Sequence, residues 1–277
     1  MAPIRNALHV LQLQGPLDPE LKNSADVMTR QVDHMVRLVD DLLDVSRITR
    51  GKITLRREPA SLNDVVARAV EAARPLVDSR RHSLNVELPP QDVFVHGDVG
   101  RLTQVVMNLL INAAKFTPNQ GHVDVEIVDA GMLAQIRVCD DGIGIAAETL
   151  RSIFDLFVQA DRTLDRAQGG LGIGLTLVRR IVEMHGGTVE VRSDGPNCGS
   201  EFVVNLPKLQ NPGKVASRRN ADGAAVAKPP LDRKLRVLIV DDNHDSASTL
   251  GMLVRLWGCD VATAYNGVEA LQDRRAA

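Results

Sequence analysis

Apolar residues near the start of the chain recur every three or four positions, the spacing of an amphipathic helix. The pattern predicts a helix over residues 4–14, a break at Gly15-Pro16 and a second, longer helix over residues 18–50 that Gly51 closes. Two helices joined by a tight turn predict an antiparallel helical hairpin, which occupies residues 1–52.

From Ile53 onward, strands with alternating apolar residues are interleaved with helices of three-and-four spacing. Helices are predicted over residues 61–78, 98–115 and 175–185, and strands over residues 83–88, 93–96, 123–129, 133–140, 188–193 and 201–206. This pattern is typical of a mixed α/β domain, which we assign to residues 53–207.

Residues 208–233 are rich in proline, glycine, alanine and basic side chains and have no period, which predicts a flexible linker. Residues 234–277 then alternate between strand and helix, beginning with Leu235–Val240, a continuous apolar run typical of a buried strand. The predicted fold class is therefore α+β, with a helical hairpin, an α/β domain and a short α/β tail.

The composition, 44% hydrophobic and 25% charged residues, is that of a globular protein. A net charge of -2 gives no reason to expect a nucleic acid partner. No apolar run approaches the ~18 residues of a membrane span and the start has no signal-peptide core, so we expect a cytoplasmic protein with no membrane segment. Cys139, Cys198 and Cys259 form no C-x-x-C pair, and we interpret them as small buried residues in a reducing compartment.

Three polar residues, Asn108, Asn112 and Lys115, lie on one face of the helix predicted over residues 98–115. Amide oxygens are suitable ligands for magnesium, and a lysine can bind phosphate as a point charge. The same spacing also fits a polar stripe on a surface helix.

Asp140 ends an apolar strand, where a carboxylate needs a partner such as an adenine amino group. Gly142 and Gly144 follow it and allow a tight turn, although an ordinary Asp-Gly turn has the same appearance. A second glycine string, Gly169–Gly174, precedes a helix, whose free N–H groups favour phosphate. The P-loop string G-x-x-x-x-G-K-[ST] does not occur in the sequence.

In this order and spacing, the motifs resemble those of the ATP-binding domain of two-component sensor histidine kinases, within the Bergerat-type ATPase superfamily. The resemblance covers the family's N box (Asn108–Phe116), its first glycine box (Asp140–Gly144), its F box (Ile153–Phe157), its second glycine box (Gly169–Leu175) and its last motif (Gly199–Phe202). It implies a Bergerat-type α/β sandwich for residues 53–207, with ATP and magnesium as cofactors.

The resemblance also implies roles for individual residues. Asn112 would bind magnesium with help from Asn108, Lys115 would contact phosphate, and Asp140 would recognise adenine. The implied ATP-binding set is completed by Phe116, Gly142, Gly144, Gly170, Leu171, Gly172, Gly174, Leu175 and Ser200, and residues 158–170 would form a lid. ATP hydrolases of the superfamily place a glutamate general base where this chain has Asn108, which favours phosphoryl transfer over hydrolysis.

The flanking segments resemble incomplete domains of the same family. Residues 2–8 resemble the continuation of the H box, so the phosphoaccepting histidine is expected before Met1. His9 and His34 are not followed by an acid, and we interpret them as surface histidines of a helical bundle. Family members form homodimers through this hairpin, and the same is implied for the full-length protein.

The tail resembles the start of a response-regulator receiver domain of flavodoxin-like fold. Asp241 and Asp242 match its magnesium-binding acid pair, and the receiver's phosphoaccepting aspartate is expected after Ala277. The two acids also fit a helix cap after a buried strand.

The function implied is an ATP-dependent protein-histidine kinase of a two-component phosphorelay, a hybrid sensor kinase whose partners are histidine phosphotransfer hairpins and receiver domains. We expect residues 1–277 alone not to autophosphorylate. The alternatives are an ATP-binding module without kinase activity and, less favoured by Asn108, an ATP hydrolase.

Overall fold

The computed structural model describes residues 2–13, 18–49, 54–158, 172–210 and 235–273. In chain order, its elements are helices α1 (Ala2–Leu13) and α2 (Pro19–Thr49), strand β1 (Glu58–Ser61), helix α3 (Leu62–Ser79), strands β2 (Ser83–Glu87) and β3 (Phe94–Gly97), helix α4 (Val99–Phe116), strands β4 (His122–Ala130) and β5 (Leu133–Asp140), helices α5 (Ala147–Leu150) and α6 (Gly174–Met184), strands β6 (Thr188–Arg192), β7 (Ser200–Pro207) and β8 (Arg236–Val240), helix α7 (His244–Leu256), strand β9 (Asp260–Ala264) and helix α8 (Gly267–Asp273). The chain divides into two compact units, residues 1–40 with 224–277 and residues 41–223, which are described separately.

The larger unit is built on a five-stranded sheet with the order β2-β4-β5-β7-β6. Strand β2 pairs with β4 in parallel, and the other neighbours are antiparallel. In β4 and β5, alternate residues such as Val125 and Val138 are buried and lie side by side across the sheet. The period of two therefore assigns one face of these strands to the core and leaves the other more exposed. In β7, residues 202–206 are all buried, so this strand is covered on both faces.

Helices α3, α4 and α6 contribute their apolar stripes to this core. Each of the first two begins at a side-chain cap: Ser61 accepts a hydrogen bond from the backbone of Asp64, and Asp98 accepts one from that of Arg101. Such caps satisfy backbone N–H groups that the first helical turn leaves without partners. The core packing fixes α4, and with it the polar face that carries the candidate site.

The predicted helices and strands of residues 53–207 are present, with ends shifted by a few residues. Two short elements were not predicted: β1, which pairs with β3 outside the main sheet, and the single helical turn of α5. Gly51, the turn at Gly15-Pro16 and most of the predicted linker lie outside the described residues. The predicted domain limits stay predictions.

In the smaller unit, α1 packs against α7, and β8 pairs in parallel with β9. Helix α2 begins in this unit and continues past its limit at residue 40, and among the described side chains of α2 Met35, Val39 and Leu43 are exposed. The antiparallel hairpin stays a prediction, since the turn that would join α1 to α2 lies outside the described residues.

The prediction that Leu235–Val240 is buried throughout was wrong. Only Ile239 of this strand is buried, where it packs with Ala247, Val254 and Val261. Leu238 and Val240 are exposed. A short two-stranded sheet covered by few helices cannot enclose both faces of a strand, whatever its composition.

The expectation of buried cysteines was also wrong. Cys198 is exposed on the loop between β6 and β7, and Cys139 and Cys259 are half-buried. Cys139 points away from the core face of β5, and burial together with Glu201 raises the pKa of its thiol to about 11. Within the part of the chain that the structure describes, no helix is both long and apolar enough to span a membrane.

Candidate functional site

An open cleft lies between the C-terminal half of α4 and the ends of β5 and β7, with about 440 Å³ of empty space that includes the solvent at its mouth. Its lining residues are Asn112, Ala113, Phe116, Asp140, Ile143, Gly144, Ile145, Ile153, Leu175, Ser200 and Phe202. The lining is mostly apolar with a few polar groups, a composition typical of small-molecule sites. A flat heterocycle fits this distribution of groups.

Asn112 lines the cleft, and Asn108 lies one helical turn before it on the same face of α4. The amide nitrogen of Asn108 donates a long hydrogen bond of 3.5 Å to the carbonyl of Gly174, the first residue of α6. This bond leaves the side-chain oxygen of Asn108 as the group available to a cation. Two amide oxygens on successive turns suit magnesium, which keeps several of its waters when it binds.

Lys115 is half-buried at the end of α4, and its ammonium group lies 4.7 Å from the centre of the Phe116 ring. Burial and, to a smaller extent, the positive charge of Arg80 lower the pKa of Lys115 from its ordinary value of 10.5. A partly desolvated cation gains more from an anionic ligand than a hydrated one does. This environment suits a phosphate contact.

Asp140 ends β5 and is paired in register with Ser200 of β7. The Ser200 hydroxyl donates to its carboxylate at 2.6 Å, and the backbone N–H of Gly142 donates at 2.9 Å. Burial raises the pKa of the Asp140 carboxyl despite these two donors. The two hydrogen bonds fix the direction of the carboxylate, which is the requirement for reading a base by its amino group.

The two glycines of the first glycine box fit close against other parts of the chain. A Cβ at Gly142 would lie 2.7 Å from the carbonyl oxygen of Phe116. Gly144 has φ +66°, and a Cβ there would lie 2.0 Å from the carbonyl oxygen of Gly195. The structure therefore adds a reason for these glycines that the sequence did not offer, because protein backbone, and not only a ligand, approaches them.

The F box contributes packing to the cleft. Ile153 lines it, while the ring of Phe154 meets that of Phe202 edge-to-face at 6.4 Å. Of the second glycine box, Leu175 lines the cleft and Gly172 has φ +69°. Gly169, Gly170 and Leu171 lie outside the described residues, as does nearly all of the implied lid.

The remaining candidates belong to the smaller unit. The Asp241 carboxylate accepts a hydrogen bond from the backbone N–H of Asn243, and Asn243 in turn caps α7 by accepting from Ser246. The cap of α7 is therefore Asn243 and neither acid of the Asp241-Asp242 pair, and a magnesium role for the pair stays a prediction. His9 is exposed on α1, and the side chain of His34 is not among those described.

Sequence reasoning missed two groups that support the site. The side chains of Arg80 and His82 contact the last carbonyls of α4, those of Lys115 and Ala114, at 3.3 and 3.0 Å. Cations and N–H donors stabilise a helix C-terminus, so these residues hold the turn that carries Lys115. No local pattern could have revealed them, since they lie more than 30 positions away in the sequence.

Two protein-family models match the chain. Residues 97–210 match the histidine kinase-, DNA gyrase B- and HSP90-like ATPase model, and residues 1–51 match the His Kinase A (phospho-acceptor) domain model. The first match contains α4, the cleft and both glycine boxes.

Similar proteins include the autoinducer 2 sensor kinase/phosphatase LuxQ of Vibrio cholerae serotype O1, which is 34% identical over 98% of this chain and 32% of its own length. The circadian input-output histidine kinase CikA of Synechococcus elongatus is 29% identical over 93% of this chain and 34% of its own length. The chain thus spans about a third of the length of these relatives.

A solved structure of full-length ShkA in complex with AMPPNP has a similar fold. Its TM-score is 0.61 at 24% sequence identity, and the match covers 98% of this chain and 54% of ShkA. At this identity, the likeness supports the fold alone.

Proposed function

Since this chain carries the phospho-acceptor and ATP-binding domains of sensor histidine kinases, we propose that it binds Mg-ATP and transfers the γ-phosphoryl group to a protein histidine in a two-component phosphorelay. The observation that carries the proposal is the cleft, in which the Asn112 amide and the hydrogen-bonded Asp140–Ser200 pair line a mostly apolar space. The Lys115 ammonium group does not line the cleft but lies against the ring of Phe116, which does. Adenine would occupy the Asp140 end and the phosphates the Asn112 end.

In this assignment, the Asp140 carboxylate accepts a hydrogen bond from the adenine amino group, and the apolar lining excludes water from the ring faces. Asn112 and Asn108 are the residues that would hold magnesium, whose charge neutralises the phosphate oxygens. Lys115 adds a positive charge beside them. These groups position the triphosphate, which is the main requirement of phosphoryl transfer.

The acceptor in the transfer is a histidine imidazole. Its unprotonated ring nitrogen forms a bond to the γ-phosphorus as the bond to the β,γ-bridging oxygen breaks, ADP leaves, and the ring N–H proton passes to solvent. This reaction does not require a protein base at Asn108. The amide of Asn108 cannot accept a proton from water, and its nitrogen donates a hydrogen bond to the carbonyl of Gly174. The lack of a general base at this position disfavours ATP hydrolysis.

The proposal is tested by supplying an acceptor. We would mix the chain and γ-labelled ATP with a separate helical hairpin, made of residues 2–52 preceded by the H-box sequence His-Glu-Leu-Arg-Asn-Pro-Leu. The expected result is acid-labile, base-stable label on that hairpin and none on the 277-residue chain. A hairpin with glutamine in place of the H-box histidine is the matched control.

Two other results would contradict the proposal, and a third would contradict only the expectation that residues 1–277 contain no acceptor. Release of inorganic phosphate without labelling would indicate a hydrolase. ATP binding with no labelled hairpin would indicate a binding module, and label on His9 or His34 would show an acceptor within the chain.

A further inference from the structure

Two loops meet at the Asp140 end of the cleft. The β5–α5 loop (residues 141–146) follows Asp140, and the β6–β7 loop (residues 193–199) precedes Ser200. Their backbones are joined by hydrogen bonds from the N–H of Asn197 to the carbonyl of Ile143, at 2.6 Å, and from the N–H of Gly199 to that of Gly142, at 3.1 Å. The two loops therefore form one layer at this end of the cleft.

The hydroxyl of Ser193 connects this layer at a third point. Its oxygen accepts a hydrogen bond from the backbone N–H of Ile145 at 2.9 Å, and the hydroxyl lies 2.6 Å from the carbonyl oxygen of Gly199, to which it donates. A single hydroxyl can donate one hydrogen bond and accept others, so both contacts are made at once. Ser193 thus links Ile145, near the C-terminal end of the β5–α5 loop, to Gly199, the residue before Ser200.

The loops have little freedom to meet in another way. A Cβ at Gly144 would lie 2.0 Å from the carbonyl oxygen of Gly195, and one at Gly199 would lie 2.0 Å from that of Asp140. Backbones this close are sensitive to small displacements, because a shift of a few tenths of an ångström produces overlap. Ser193 is half-buried and does not line the cleft, so its hydrogen bonds act on the loops and not on a ligand.

We infer that Ser193 is a positioning residue for nucleotide recognition, because it holds the two loops together and thereby fixes the Asp140–Ser200 pair that would read the base. The assignment rests on the proposed function for its ligand. The loop contact itself can be measured without any nucleotide.

The first measurement is amide hydrogen exchange in the ligand-free chain. In Ser193→Ala, the amide of Ile145 loses its hydrogen-bond acceptor. The amides of Asn197 and Gly199 keep their acceptors, but the two loops that carry these groups are no longer joined by the Ser193 hydroxyl. We expect exchange at these three amides to become about tenfold faster, the factor for one lost hydrogen bond. The central amides of β4 and β5 should be unchanged.

The second measurement is the affinity for ATP and for GTP by calorimetry. A loosened Asp140–Ser200 pair should weaken ATP binding by about fivefold to tenfold and GTP binding less, so that the ratio of the two affinities falls. A residue with a merely structural role would lower Tm and leave that ratio unchanged. Ser193→Thr keeps the hydroxyl and should retain the wild-type ratio.

Ser79→Ala is the matched control. The Ser79 hydroxyl donates to Leu76 within its own helical turn at 2.7 Å and joins no separate segments. Its loss should change neither the three amides nor the affinity ratio. If the wild-type chain binds ATP and Ser193→Ala has the same amide exchange and the same ratio, the inference is overturned and the proposed function stands. If the wild-type chain binds neither nucleotide, the proposed function fails together with the role assigned here.

Discussion

The two ends of the cleft are organised in different ways. At one end, the Asp140 carboxylate already accepts hydrogen bonds from Ser200 and Gly142, and two loops are joined behind it. At the other end, Asn112 faces the cleft and the Lys115 ammonium group lies over an aromatic ring, in a half-buried position that lowers its pKa.

The difference separates two tasks of a nucleotide site. Groups that are fixed by the protein before the ligand arrives reject a wrong base, since a mismatched buried polar contact is left without a partner. Groups whose charge or lone pair is satisfied by the ligand supply affinity for phosphate and metal, and this affinity depends on cations, salt and pH. Changes at the two ends should therefore have different signatures.

The largest effect is expected at the Asn112 end of the cleft, which we call the metal end, where the whole response of ATP binding to magnesium should be lost. Asn112→Ala removes an amide oxygen from the proposed magnesium site, and ATP affinity in the presence of magnesium should fall by about 10- to 100-fold, to the value measured without magnesium. Calorimetric titration with and without magnesium measures this.

Asn85→Ala serves as control for the metal end, because Asn85 is exposed on β2 and bonds only to Glu87 among the contacts found for its side chain. Its titrations should match those of the wild type. An Asn112→Ala variant that still responds to magnesium would remove Asn112 from the site.

At the Asp140 end of the cleft, which we call the base end, Asp140→Asn should weaken ATP binding by about 1–3 kcal/mol, the range for a mismatched buried polar contact. The response to magnesium should be kept. The wild type should prefer ATP over GTP, and the variant should lose most of that preference. Competition calorimetry with both nucleotides measures the change.

Asp141→Asn is the neighbouring control for Asp140→Asn. The Asp141 carboxylate is half-exposed and bonds to the backbone and ring of His122 instead of facing the cleft. Equal affinities of the wild type for ATP and GTP would exclude a base-reading role for Asp140.

A smaller effect is expected at Lys115, whose half-exposed charge is partly screened. Lys115→Met should weaken ATP binding by about 1 kcal/mol at low salt and by less at high salt. Burial lowers the pKa of Lys115 below 10.5, so its charge is complete at neutral pH and is lost as pH rises toward the lowered value. Wild-type ATP affinity should fall over that alkaline range.

Lys115→Arg keeps a charge that does not titrate there, and its affinity should stay level as pH rises. Fluorescence titration with a nucleotide analogue across pH and salt would compare the three proteins. If the ATP affinity of Lys115→Met falls at alkaline pH as that of the wild type does, the fall is caused by the titration of another group.

Sequence patterns predicted those features that depend on neighbours along the chain. Helix α4 and strand β5 follow from the periods of their buried residues, and the common face of Asn108 and Asn112 follows from helical geometry. Strand β1 was missed because it contains Pro59 and pairs with the distant β3. The exposed face of β8 was missed because burial depends on what covers a strand and not on its composition.

The contacts that organise the two ends of the cleft could not be predicted for the same reason. Ser193 meets Ile145 across 48 positions, and Arg80 meets the carbonyl of Lys115 across 35. A serine after a strand and an arginine after a helix are common in any sequence. The role of Ser193 appears only when the order of β5, β7 and β6 in the sheet brings the two loops together, and that of Arg80 only when the end of α3 meets the end of α4.

The smallest predicted effect is on the stability of the ligand-free protein, which the buried Asp140 carboxylate lowers. Burial raises the pKa of Asp140 above its ordinary value of 3.8, so the folded chain holds the Asp140 proton more tightly than the unfolded chain does. The contribution of Asp140 to stability is therefore most favourable at or below pH 3.8 and declines as pH rises through the raised pKa. Near pH 7, its ionised carboxylate slightly destabilises the folded state.

Asp140→Asn removes this ionisation, and the Ser200 hydroxyl can rotate to accept a hydrogen bond from the new amide. Near pH 7, the ligand-free variant should melt on the order of 1–2 °C above the wild type, a difference that disappears toward pH 3.8. Scanning calorimetry across this range measures it. The same substitution would then weaken ATP binding and stabilise the empty protein, as expected if the carboxylate is kept for the ligand. A variant that melts below the wild type near pH 7 would instead show that the hydrogen bonds from Ser200 and Gly142 outweigh the desolvation of Asp140.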